Sequence, residues 1–258
     1  MLEFSIISLL AGGVILLLIM IYEARRNTVK KEELILGGFP PEMSPLSLFF
    51  ISDIHKREIS EDVIKEVKGK TDLVIIGGDL LERGVPFSKV EENLERLMTI
   101  GPVYFVWGNN DYETDTSKLR QIFKKKGIKE IVNGSLKVPV GNGVINLIGV
   151  DDASTQRADY QQAIGETDPG KFNLLISHDP RLVKQVQKED GIDLMLSGHT
   201  HGGQIRLFGW GMYKKGRLEI LPQTTLLVSN GYGTTAIPLR LGAPAETHLL
   251  TIRNGQGL

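Results

Sequence analysis

Cysteine is absent from all 258 residues, which excludes a disulfide framework, a thiol nucleophile and a thiolate-bound structural zinc. The chain also lacks an excess of either charge. Thirty Lys and Arg against 31 Asp and Glu leave a net charge of -1 and a pI of about 6.5. That balance is unlike the basic footprint of a protein that grips nucleic acid through its phosphates, so no stable nucleic-acid partner is expected. Internal repeats and low-complexity tracts are missing too, which excludes solenoids and disordered arrays. With 41% hydrophobic and 24% charged residues, the chain has the composition and length to bury one full-sized core.

A local absence is more decisive. Phe4 to Tyr22 carries no charge, and as a helix rising ~1.5 Å per residue it spans about 28 Å, enough to cross a bilayer. A cleaved signal peptide would want a basic residue before the run and small residues after it, whereas Met1, Leu2 and Glu3 precede it and Ile21 and Tyr22 end it. A buried core helix would show an amphipathic stripe. An uncleaved anchor fits best, and Arg25, Arg26, Lys30 and Lys31 directly after it place the rest of the chain in the cytoplasm by the positive-inside rule. Three segments follow: a transmembrane anchor over 1–23, a linker over 24–45 made extended by Pro40, Pro41 and Pro45, and a folded domain over 46–258.

Within that domain, apolar runs at Leu48–Ile51, Leu73–Ile76 and Val103–Trp107 alternate with helical patterns at Glu61–Lys68, Ser88–Met98 and Ser117–Lys126. Such alternation predicts an α/β layered fold. Val138–Val150 predicts a hairpin turning at Gly141-Asn142-Gly143, and Arg181–Lys188 a helix between strands at Phe172–Ile176 and Ile192–Leu196. Strand patterns at Arg217–Ile220, Thr225–Ser229 and Glu246–Ile252 are expected to complete a second sheet.

Four of the five histidines lie in three short motifs, Asp53-Ile54-His55, Ser177-His178-Asp179 and Gly198-His199-Thr200-His201. Two more motifs, Gly77-Gly78-Asp79 and Gly108-Asn109-Asn110-Asp111, lie between the first and second. Each follows an apolar run, so imidazoles, carboxylates and an amide are delivered repeatedly to strand ends, where open α/β sheets place their ligands. Singly, such residues are as often helix caps or satisfied core histidines. Together they describe a nitrogen and oxygen donor set for borderline or hard divalent ions.

In this order and spacing, the five motifs resemble the five blocks of the calcineurin-like metallophosphoesterase superfamily, and the membrane-anchored bacterial branch in particular. The resemblance covers Asp53 to His201 and implies a four-layer α/β/β/α metallophosphoesterase sandwich behind the N-terminal transmembrane helix. It also implies two divalent metal ions, with Asp53, His55 and His201 on the first, Asn109, His178 and His199 on the second, and Asp79 bridging both. Imidazole and carboxylate accept Mn, Fe or Zn alike. The implied activity is hydrolysis of a phosphoester or pyrophosphate by activated water. Parts of that branch act on lipid-linked substrates such as UDP-diacylglucosamine. A tethered phosphodiesterase for soluble nucleotides and a catalytically silent metal-binding scaffold are the alternatives.

One block departs from the family. Asn110 occupies the position where many members carry a histidine assigned to leaving-group protonation or transition-state stabilisation. An amide donates a hydrogen bond but transfers no proton, so Asn110 as the catalytic residue implies a preference for diesters or anhydrides with good leaving groups. Arg83 sits where related phosphatases grip substrate phosphate, and a solvated loop arginine is the competing reading. Lys56 and Arg57 either raise the local potential or pair at the surface, Asp111 orients Asn110 or caps a turn, and His248 reads as structural. Gly202 to Gly216 carries Leu207, Phe208, Trp210, Met212 and Tyr213 beside Lys214 and Lys215. It reads either as a hairpin covering the core or as a contact for a membrane surface or acyl chain.

Overall fold

The computed structural model describes residues 2–165, 167–168 and 170–255. Along the chain run α1 (Leu2–Arg25), β1 (Thr28–Ile35), β2 (Leu46–Ile51), α2 (Glu61–Val67), β3 (Leu73–Gly77), α3 (Phe87–Met98), β4 (Val103–Val106), α4 (Thr116–Lys126), β5 (Lys129–Glu130), β6 (Gly134–Val140), β7 (Gly143–Val150), α5 (Tyr160–Ile164), β8 (Asn173–Ser177), β9 (Leu194–Ser197), β10 (Arg217–Ile220), β11 (Thr225–Val228) and β12 (Glu246–Arg253).

Two six-stranded sheets form, in the orders β1-β12-β2-β3-β4-β5 and β10-β11-β9-β8-β7-β6. Their central strands are apolar on both faces because both faces are covered, as continuous runs such as Leu73–Gly77 and Asn173–Ser177 require. Phe50, Ile75, Leu147, Leu174 and Leu196 meet between the sheets. Outside the first sheet, Val63, Leu94, Leu97, Leu119 and Phe123 of α2 to α4 pack on Val74, Ile76 and Phe105. Outside the second, Tyr160 and Ala163 of α5 and Leu182 cover Ile148, Leu175 and Met195. Three apolar seams between four layers make the expected α/β/β/α sandwich. Strands β2, β3 and β4 run parallel, as do β7, β8 and β9, so each group presents its C-terminal ends along one edge.

Three expectations change. The 24–45 segment is extended, but as part of the sheet rather than a free linker: all eight residues of β1 pair in parallel with β12. Its charges are tolerated because an edge strand leaves one side in solvent, while Leu34 reaches the core. Strand β12 joins the first sheet, between β1 and β2, and not the second. The helix expected at Arg181–Lys188 is instead a 3-10 turn at Pro180–Lys184, started by Asp179, whose carboxylate accepts from Arg181 N.

Helix α1 is long and apolar enough to cross a membrane, and its residues 3–19 are exposed. It enters the domain without slack. Arg240 N donates to Met20 O (3.1 Å) and Ala245 N to Glu23 O (3.0 Å). Gly242 N donates to the Glu23 carboxylate (2.7 Å). The Arg57 guanidinium caps the helix end on the carbonyls of Arg25 and Arg26 (2.7 and 2.8 Å), a favourable place for a cation. Two residues later β1 begins. Lys30 then pairs with buried Glu246 (2.7 Å), and His248 bonds Glu32 (2.8 Å) and Ser229 (3.1 Å).

Candidate metal centre

All five motifs lie just beyond strand ends, those of β2, β3 and β4 in one sheet and of β8 and β9 in the other. Five of the seven expected ligands, Asp53, His55, Asp79, His199 and His201, have left-handed backbones with φ between 49° and 67°. Non-glycine residues seldom adopt that region, and such strain gathers where surrounding structure fixes a functional geometry. Here the fixing groups are visible. Asp53 N donates to Gly78 O (3.0 Å), and Ile54 N and His55 N to Asp79 O (2.8 and 3.2 Å). Buried Asp111 accepts from Asp79 N and Gly108 N (both 2.8 Å) and from Leu81 N (3.2 Å). Gly108 must be glycine, since a β-carbon there would strike the Asp79 carboxylate.

The side chains converge. Donor atoms of Asp53, His55 and His201 lie within 4.8 Å of one another, as do those of Asp53, Asp79 and His178. His55 Nε2 and His201 Nε2 are 3.1 Å apart, with their rings stacked. Asp79 Oδ2 lies 3.2 Å from His178 Nε2 and 3.7 Å from His55 Nε2, and therefore faces both groups. His199 Nδ1 lies 3.0 Å from Asn109 Oδ1, and the His178 and His199 rings meet edge to face at 5.1 Å.

A divalent cation fits this donor set. His178 Nδ1 bonds Gly77 O (2.8 Å), which fixes the proton there and leaves the Nε2 lone pair facing the carboxylates. That Nε2 is buried and has no aligned hydrogen-bond partner, an orphan that a cation would satisfy. His55 Nδ1 is likewise buried and misaligned with Glu82, whose carboxylate lies 3.0 Å away. The electrostatics agree. Burial opposes charge on His178, but Asp79 and Asp53 overcome it and push the imidazole well above its ordinary range, so the carboxylates favour a positive charge at Nε2, carried by a proton unless a metal ion displaces it. Burial would raise Asp53 and Asp79 as well, and the surrounding histidines hold both carboxyls low. Burial pushes His201 down to about 3 and also lowers His199, so both stay neutral and able to offer a lone pair. Asp111 is pushed up to about 7 by burial and by its neighbour Asp79.

The other site residues fall differently. Asn110 donates from Nδ2 to Asp79 Oδ2 (2.6 Å) and from its backbone to Oδ1 (2.9 Å), so its amide is engaged with the carboxylate. Arg83 is exposed and does not line the adjoining cavity. Lys56 pairs with Glu82 (2.6 Å), and Arg57 belongs to the helix junction. The cavity, about 430 Å³, is walled on one side by Asp79, Asn109, Asn110, His199 and His201 and on the other by Ile205, Met212, Tyr213, Ala236 and Ile237.

Sequence reasoning missed Glu82 and Arg240. Glu82 lies within the same loop as Arg83 and was detectable only as a second carboxylate near the Asp79 motif. Arg240 is fully buried and gives hydrogen bonds to the carbonyls of His201, Asn230, Gly231, Gly233 and Ala243. Its Nη2 also lies 3.1 Å from His201 Nδ1. Nothing local distinguishes it from a solvated loop arginine.

The calcineurin-like phosphoesterase family model matches residues 46–203. An uncharacterized protein, YpbG of Bacillus subtilis, is 48% identical over 210 residues, 81% of each chain. Phosphodiesterase YaeI of Escherichia coli is 28% identical over 183 residues, covering 67% of this chain and 66% of its own. Among solved structures, a 5'-nucleotidase precursor from Thermus thermophilus superposes with a TM-score of 0.54 at 16% identity, over 81% of this chain and 55% of that one, a likeness of fold alone.

Proposed function

The chain belongs to the calcineurin-like phosphoesterase family, and from that premise we propose that it is a membrane-anchored phosphohydrolase with a dinuclear metal centre. The observation that carries this reading is the convergence of two donor groups that share Asp53, the second containing Asp79, whose Oδ2 also lies 3.7 Å from His55 of the first. In it, Asp53, His55 and His201 would hold one divalent ion, Asn109, His178 and His199 would hold the other, and Asp79 would be shared by both. When bound, such a pair supplies Lewis-acid polarisation of the phosphoryl group and activation of water.

The chain's own residues do the rest. Asp111 orients the Asp79 and Gly108 backbones, and Gly77 O keeps His178 in the tautomer with a free Nε2. Asn110, with its amide on Asp79, steadies the bridging carboxylate and gives no proton to a departing alkoxide. Substrates are therefore phosphodiesters or pyrophosphates whose leaving groups depart unaided. The anchor makes membrane-proximal or lipid-linked members of that class the natural targets, with the domain on the cytoplasmic side indicated by Arg25, Arg26, Lys30 and Lys31.

Full-length protein purified in detergent tests this by metal analysis and turnover of aryl diesters, nucleotides and lipid pyrophosphates, with Asp79→Ala as control. Two divalent ions per chain and turnover lost in the variant are expected. Less than one equivalent of metal, or faster cleavage of alkyl monoesters than of aryl diesters, would overturn the reading.

A further inference from the structure

The segment after His201 is a built hairpin, and it does not cover the core. Leu207 and Trp210 exchange both backbone hydrogen bonds (2.9 Å each), and Phe208 and Gly209 between them have φ of 50° and 83°. This is the primed two-residue turn, which normally takes Asn-Gly or Gly-Gly. Here a bulky aromatic holds the strained first position. Underneath, the Arg206 guanidinium fastens the hairpin to the carbonyls of Gly202, Gly209 and Tyr213. The result displays apolar surface. Outside α1, three of the four most exposed large apolar residues described are Phe208, Met212 and Trp210, at 101%, 86% and 84%.

The hairpin's position relative to the anchor is fixed by a chain of bonds. Gln204 Nε2 donates to Thr235 O and Ile237 O (2.9 Å each), and Arg206 N donates to Leu241 O (2.8 Å). The same 235–245 loop bonds Met20 and Glu23 at the end of α1. Exposed Ile237 lies on that loop, and Lys214 and Lys215 flank the hairpin. An apolar tip next to lysines, laced to the end of a membrane-spanning helix, matches an interfacial lipid contact.

We propose that the Leu207–Trp210 hairpin, with Met212 and Ile237, inserts into the same bilayer that α1 crosses, as a second membrane attachment. Met212 and Ile237 also wall the cavity beside the metal ligands. On the proposed hydrolase reading, the cavity mouth then lies in the headgroup layer, and the substrates are amphiphiles whose phosphoester resides there.

The two tryptophans permit a test that needs no turnover, so its failure is separable from failure of the hydrolase reading. Trp107 is fully buried and Trp210 is not. Full-length protein is reconstituted into phosphatidylcholine and phosphatidylglycerol vesicles, with or without acyl chains brominated near the headgroup. Bromolipid should quench the Trp210 emission, aqueous iodide should not reach it, and Trp210→Phe should abolish the bromolipid effect. Quenching by iodide and not by bromolipid would overturn the proposal. So would shielding from both, which would mean that a second copy or another protein covers the hairpin.

Discussion

The metal-ligand cradle and the Leu207–Trp210 hairpin both hold side-chain-bearing residues at positive φ, yet in opposite settings. In the cradle, Asp53, His55 and Asp79 are buried, and backbone bonds between neighbouring motif loops fix them from several directions. At the hairpin, backbone bonds and Arg206 hold the turn, but the strained Phe208 side chain is wholly exposed, so no burial of that side chain offsets its conformation. The contrast teaches that strain alone does not identify a site. What separates the two settings is where compensation comes from: a polar network fixes the cradle from inside, whereas at the hairpin the proposed bilayer contact would have to supply it.

The Arg240 guanidinium braces the cradle through His201 and the carbonyls around it, on the same 235–245 loop that carries the hairpin's bonds, so its loss should have the largest effect. Arg240→Ala removes the guanidinium from five carbonyls and should destabilise the protein by about 3–5 kcal/mol, read by thermal or denaturant unfolding. Near-normal stability would show that the two regions are held independently. Asp111→Asn should act on the cradle alone. An amide oxygen cannot replace both carboxylate acceptors, so metal affinity should fall roughly 10–100-fold by competition with a chelator, with Trp210 quenching unchanged.

The anchor side should respond to pH. Burial opposes charge on His248, but Glu246 and Glu32 prevail and raise its pKa above the ordinary 6.5. The sign follows: its stabilising contribution is complete below 6.5 and disappears as pH rises through the raised folded value. Protection of the β1 amides, relative to their intrinsic base-catalysed exchange, should therefore fall on the alkaline side, and His248→Gln should flatten the profile. Phe208→Gly should relax the turn, stabilising detergent-solubilised protein by up to ~1 kcal/mol while weakening its seating in vesicles. Arg83→Ala should matter least, within ~0.5 kcal/mol of stability and about twofold in turnover. A larger loss of turnover would place Arg83 at the substrate after all.

The sheet core and the five strand-end motifs were legible because both are local signals: apolar runs of strand length, each followed by residues able to act as donors. Pairing partners were not. Nothing within Glu246–Arg253 says that it lies between β1 and β2, since a strand's neighbours are chosen by residues about 200 positions away. β1 was concealed by its own edge position, which lets Lys31 and Glu33 alternate with inward residues and resemble a charged connection. Arg240 was invisible because its five acceptors are backbone carbonyls, which carry no side-chain signature. The engagement of Asn110 with Asp79 is likewise a matter of rotamer and distance, beyond what a motif encodes.

Only Arg26 and Asn27 separate the end of α1 from the first residue of β1. On the proposed reading, a domain mounted that tightly behaves as a post and not as a leash. It cannot sweep the solution for dissolved molecules beyond its own radius. For the amphiphilic substrates proposed above, its encounter rate should follow their number per unit area drifting laterally past it, and should be indifferent to the volume of the compartment behind.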